Sequence, residues 1–193
     1  MQRKLILASR SPYRKMLLQK LGLAFETIAA DIDETPAPNE RPDVLVARLA
    51  LTKARVIAQR HPGSLVIGSD QVAVHGNNIV GKPKNHADAV KQLRTASGKT
   101  VSLYTGLALI NADSNQTQTE VIPFYITFRT LSDAQIENYL RKDQPYDCAG
   151  SVKSEGLGIA LLEKFDGEDP NTLIGLPLIR LIKMLENEGV NVV

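Results

Sequence analysis

The sequence predicts a mixed α/β (α+β) fold with a mixed sheet, on three observations. Strand-like and helix-like patterns alternate from the start of the chain, the order that builds a sheet covered by helices. The segment SLVIGSDQVAV (64–74) opens on a continuous apolar run, as in a central strand buried on both faces. Segments 100–112 and 119–131 flank the polar turn DSNQTQ, and Ile122, Phe124, Ile126 and Phe128 alternate with less apolar residues. That spacing predicts a long antiparallel hairpin with one buried face.

The elements follow in order. Leu5–Ala8 is a short buried strand. Ser11 is a good N-cap and Pro12 a good first helical residue. Leu17, Leu18 and Leu21 then share one helical face, and Gly22 ends the helix. AFETIAADIDET (24–35) reads as a strand leaving toward a loop. A second helix follows Arg41-Pro42 and ends near His61-Pro62. After the central strand, HGNNIVGKP (75–83) reads as a tight turn and loop. Asn85 caps a third helix carrying Ala87, Val90 and Leu93 and closed by Gly98. Beyond the hairpin, Ser132 and Gln135 form a capping box for a helix through Tyr139 and Leu140. GIALLEKF (158–165) reads as a strand and Pro177–Glu188 as the last helix. No linker is long enough to separate domains, so 1–193 is expected to be a single domain, and helices from both halves could clasp a central cleft.

Bulk composition narrows the function. The 193 residues include 23 basic and 21 acidic ones, a net charge of +2, too balanced for bulk nucleic-acid binding. A single cysteine, Cys148, allows no disulfide framework within the chain and points to a reducing compartment. The apolar run near the N-terminus stops after Ala8, short of the roughly 7–15 residues of a secretory signal. No segment approaches the about 18 apolar residues of a membrane span. The expectation is a cytoplasmic protein without membrane or nucleic-acid partners.

Several charges sit where charge is costly. At about 100° per residue, Leu45, Val46, Leu49, Ala50, Val56 and Ile57 share one stripe of the second helix, and Lys53 falls in its middle. Either Lys53 snorkels or meets a structural carboxylate, or it points into a cleft and meets an anion. Asp70 interrupts an otherwise apolar strand, a costly place for a carboxylate unless it is paired or bound to metal. Lys82 lies in a stiff GKP loop. Asp31, Asp33 and Glu34 cluster in DIDET, either as a solvated acidic loop or as ligands for a hard cation such as Mg²⁺. In CAGSVKSEGLG (148–158), small residues would let backbone amides approach a ligand, and Glu155 could accept hydrogen bonds from a base edge. GEDPNTLIGLPL (167–178) ends at a helix start, where amides suit an anion. No P-loop, G-x-G-x-x-G or metal-spaced histidine pattern occurs. Arg14, Lys53 and Lys82, with Glu34 and Asp70, suit a triphosphate with metal ions.

LASRSPYRKMLLQKLG, DIDET, LALTKA, GSDQV, GKP, LRTASGKT, YDCAGSVKSEGLG and GLPL occur in the order found in the Maf family, which the chain resembles essentially end to end. The resemblance implies an elongated mixed sheet in an inosine-triphosphatase-like fold, with two lobes around a deep cleft. It implies hydrolysis of a nucleoside triphosphate to the monophosphate plus pyrophosphate with a divalent cation (Mg²⁺, Mn²⁺ or Co²⁺). Asp70 matches the proton acceptor, and Ser9, Ser11 and Arg14 the first phosphate-contacting loop. Lys53 and Lys82 match phosphate-facing lysines. Glu34 matches an acid that holds metal, together with Asp70. Many members read SPRR where this chain reads Ser11-Pro12-Tyr13-Arg14. Tyr13, Gln71 and Glu155 are similar to the YceF-type subfamily, which is associated with 7-methyl-GTP. The ring of a 7-methylated guanine is cationic. Tyr13 could stack on it for about 0.5–2 kcal/mol, whereas an arginine would repel it. The alternative function is a non-catalytic nucleotide-binding regulator of septum formation, and the family analogy suggests a homodimer.

Overall fold

A computed structural model describes residues 3–76 and 78–193, so Met1 and Gln2, and Asn77 inside the expected 75–83 turn, lie outside the described residues. The elements are β1 (Lys4–Leu7), α1 (Pro12–Gln19), β2 (Phe25–Thr27), α2 (Pro42–Ala58), β3 (Ser64–His75), β4 (Asn78–Val80), α3 (His86–Ala96), β5 (Thr100–Asn111), β6 (Thr117–Phe128), α4 (Asp133–Asp143), β7 (Leu162–Asp166), α5 (Asn171–Ile174) and α6 (Leu178–Asn187). The strands form a mixed sheet in the order β2-β1-β3-β5-β6-β7, with β4 added to β3. β1 runs parallel to β2 and β3, while β3–β4 and β6–β7 are antiparallel. The fold is thus mixed α/β. Among the described residues no helix is long and apolar enough to cross a membrane.

Local chemistry explains the elements. Ser11 accepts the Arg14 backbone N–H at 3.3 Å and Pro12 opens α1, so the helix starts where the cap is. Asn85 caps α3 through the Asp88 N–H at 2.9 Å. Ser132 and Gln135 cap α4 reciprocally, at 2.8 and 3.3 Å. The β5–β6 hairpin is held at its turn by Asn111 N–H donating to Gln116 and at its far end by Phe128 N–H donating to Lys99, both at 2.9 Å. Ile122, Phe124, Ile126 and Phe128 are all buried. Each such side chain contributes about 1.5–3 kcal/mol over an exposed one.

The chain divides into two compact units. The first holds the chain through Gln71, Thr105–Ile122 and Gly175–Val193. Its core packs Ala50, Ala54 and Ile57 of α2 on Ile6, Val66, Ala108 and Ile110 of β1, β3 and β5. The second holds Val72–Tyr104 and Pro123–Ile174. Its core packs α3 and α4, through Leu93, Ile136 and Leu140, on Leu103, Phe124 and Phe128.

Two glycines bring α2 unusually near the sheet. A Cβ at Gly68 of β3 would overlap the Ala50 carbonyl oxygen, and one at Gly106 of β5 would overlap the Val46 carbonyl. Helix backbone therefore rests directly on strand backbone. Gly68→Ala must push α2 away and is expected to lower the unfolding free energy by about 1–3 kcal/mol, as read by urea denaturation. An unchanged midpoint would mean that α2 shifts without cost.

The structure differs from the sequence expectations at four places. Residues 78–80, expected as loop, form a short strand that pairs antiparallel with Ala73–His75 of β3. The first half of GIALLEKF is a 3₁₀ turn over Leu157–Leu161, and only Leu162–Asp166 is strand. Ala87 faces solvent, and Ala89 takes the core position on α3. Pro177 is the N-cap of α6 rather than its first residue.

Candidate active site

Strand β3 carries Asp70 at the end of its apolar run, and α2 carries Lys53 on its buried stripe. The two meet, with Lys53 Nζ donating to Asp70 Oδ1 at 2.6 Å. The same nitrogen lies 2.8 Å from Glu34 Oε1. The Lys53 and Asp70 side chains are 9% and 11% exposed, and Glu34 is 58% exposed. Of the readings open for Lys53, the structure therefore selects a partnered lysine beneath the surface. One cation held by two carboxylates leaves a net negative charge, which Arg14 offsets.

Arg14 projects from the first turn of α1. Its Nε donates to the Gly175 carbonyl at 2.9 Å, and the Ser69 hydroxyl donates to the same oxygen at 3.0 Å. Gly175 has φ +117°, which reserves the position for glycine although space for a Cβ exists. Burial lowers the Arg14 pKa from its usual value, and the charges of Asp70 and Glu34 pull it back up. The guanidinium stays a cation at any working pH.

Ser9 is buried, and its Oγ accepts the Ser11 N–H at 3.1 Å. Both serine oxygens thus accept from backbone, which leaves each hydroxyl proton to donate. The first turn of α1 holds no acidic residue, so its positive end is not neutralised locally. Tyr13 is half-buried between Pro12 and Arg14. Gln71, one residue beyond Asp70, donates from Nε2 to Thr105 Oγ1 at 2.8 Å.

Lys82 and Glu155 belong to the second unit, and both are exposed. The loop bearing Lys82 is held at Gly81, whose carbonyl accepts from Gln92 Nε2 at 3.2 Å and from Gly150 N–H at 3.3 Å. Glu155 accepts from the Ser154 hydroxyl at 3.4 Å.

The acidic segment DIDET does not act as one cluster. Asp31 pairs with Arg10 at 2.6 Å, and Asp33 Oδ1 accepts the Thr35 N–H at 2.9 Å. Only Glu34 reaches Lys53. Among the described residues no group of three or more His, Cys, Asp or Glu side chains could hold a metal ion. Glu34 and Asp70 remain as two hard oxygen donors converging on one lysine nitrogen. That donor set fits a divalent cation such as Mg²⁺, which keeps waters and takes substrate phosphate oxygens beside one or two carboxylates.

Against known proteins, the family model described as "Maf-like protein" matches residues 4–188. The chain belongs to the Maf family. A Maf relative from Nitrosococcus oceani, 60% identical over 185 residues, covers 96% of this chain and 93% of its own length, and is named 7-methyl-GTP pyrophosphatase. A solved HAM1 protein from Coxiella burnetii aligns with 66% of this Maf chain and 73% of its own, at TM-score 0.48 and 17% identity, too slight a likeness to carry an argument.

Sequence reasoning missed Gly175 and Thr105 as the acceptors that hold Arg14 and Gln71, and Ser69 as the second donor to the Gly175 carbonyl. A backbone carbonyl has no side-chain signature, and these partners lie 161, 106 and 34 residues from the groups they meet.

Proposed function

We propose that this chain hydrolyses 7-methyl-GTP, or a closely related modified purine nucleoside triphosphate, to the monophosphate plus pyrophosphate. The observation that carries the reading is the buried Asp70–Lys53 pair with Glu34 on the same nitrogen, in a chain 60% identical to a 7-methyl-GTP pyrophosphatase. Lys53 holds Asp70 Oδ1, and Oδ2 takes the proton of a water as general base. That water's oxygen bonds to the α-phosphorus while the α–β bridging bond breaks and pyrophosphate leaves. Arg14, fixed through Nε, offers its remaining N–H groups to phosphate oxygens, and the Ser9 and Ser11 hydroxyls donate beside it. Glu34 and Asp70 would hold a divalent cation, which supplies charge neutralisation on the phosphates when bound.

Tyr13 at the start of α1 supports a cationic base, since its ring can stack on 7-methylguanine. The assignments of Lys82 to phosphate and Glu155 to the base rest on their motifs alone. The test is a hydrolysis panel of canonical and methylated nucleoside triphosphates with Mg²⁺, read as pyrophosphate released by wild type and Glu155→Gln. The expected result is fastest release from 7-methyl-GTP, a narrowed preference in Glu155→Gln, and loss of turnover on chelation. Binding without release from any nucleotide would overturn the enzymatic reading, and an unchanged preference in the variant would overturn the role of Glu155.

A further inference from the structure

Glu34 raises a structural question, because it sits on an exposed loop and its side chain is 58% exposed, although Lys53 is buried. One ion pair whose acidic side lies in water adds little to the order of a whole loop. The residues around it supply another anchor. Arg48 Nε and Nη2 donate to Glu40 Oε1 and Oε2, both at 2.7 Å, a two-pronged fork. The same Nη2 donates to the Thr35 carbonyl at 3.2 Å. Glu40 Oε2 also accepts the Ala37 N–H at 2.9 Å. Thr35, directly after Glu34, is thus held by its carbonyl through Arg48 and by its N–H through Asp33.

We infer that Arg48 is a positioning residue for Glu34, clamping residues 35–40 so that Glu34 reaches Lys53; the inference rests on the role proposed for Glu34 above. Arg48 and Lys53 lie on one helix, α2, so a single rigid element carries both the loop's anchor and the loop's target. The side chain of Glu40 is only 6% exposed, unlike that of Glu34. The fork with Arg48, then the Ala37 N–H, holds the Glu40 carboxyl down to about 2, so the clamp stays charged throughout the working pH range. A lysine at position 48 keeps the charge but cannot make the fork.

The test uses the full chain and the variants Arg48→Lys, Arg48→Ala and Glu40→Gln, with each Arg48 variant also combined with Glu34→Gln. Three quantities are read: kcat/KM for 7-methyl-GTP with Mg²⁺, Tm, and amide hydrogen exchange of the metal-free protein. Each single variant is expected to lower kcat/KM by about ten- to a hundredfold, the scale of a small misplacement of a reacting group. In the Glu34→Gln background the Arg48 variants should lower it further by less than about twofold, because they act through the carboxylate already lost. Exchange at Thr35 and Ala37 should quicken while α4 stays protected. Equal losses in both backgrounds, or unchanged exchange at Thr35 and Ala37, would overturn the inference. If Arg48→Ala does not fold, Arg48→Lys carries the same comparison and Glu40→Gln the exchange measurement. Should wild type release no pyrophosphate, the proposed function falls, and the exchange measurement alone decides the clamp.

Discussion

Asp70→Asn is expected to cut kcat for 7-methyl-GTP by roughly 10²–10⁴-fold, the usual contribution of a positioned general base. Asparagine keeps an oxygen for Lys53, so the 2.6 Å contact has a neutral successor, and Lys53 retains Glu34 at 2.8 Å. Unfolding should therefore change little, and KM should move less than kcat. Turnover measured as pyrophosphate release, beside a denaturation curve, separates the two effects. Near-normal kcat in a folded variant would remove Asp70 from the base role.

Lys53→Met should damage both properties. It leaves the Asp70 carboxylate beneath the surface without its direct partner, and breaking a buried pair from one side costs about 3–5 kcal/mol. Arg14 stays within electrostatic reach, but it is tied to the Gly175 carbonyl, so it replaces the lysine only in part. Activity should fall with stability, since the carboxylate loses the donor that orients it. Adding Asp70→Asn to Lys53→Met should then restore much of the lost stability, because no uncompensated charge remains, and restore none of the turnover. Urea unfolding of the two single variants and the double variant measures this coupling. Additive destabilisation would mean that the pair contributes nothing as a pair.

Much of this was readable from residues alone. Lys53 within an apolar helical stripe and Asp70 within an apolar strand each marked a costly charge, and the two solve each other's cost. Ser11-Pro12 and Ser132 with Gln135 marked helix starts because caps are local chemistry. The alternation from Ile122 to Phe128 marked a buried face because strand periodicity is local too. What stayed hidden depends on distance along the chain or on backbone. The fork of Arg48 on Glu40 joins the second turn of α2 to the loop before it, which no periodicity describes. The division of DIDET into three separate fates follows from Arg10, the Thr35 amide and Lys53, partners that no spacing within the segment itself describes. Strand β4 is three residues long and pairs through its backbone, so its sequence carries little of its own signal.

The contact of α2 with Gly68 and Gly106 bears on how this scaffold could be recast. Because helix carbonyls lie on strand backbone, Lys53 and Asp70 are set by main-chain geometry rather than by adjustable packing. A library meant to change the accepted base should leave α2 and the two glycines untouched and vary positions 13 and 71. Those side chains lie outside that backbone contact, so such a library would test the proposed specificity roles of Tyr13 and Gln71 while Lys53 and Asp70 keep their places.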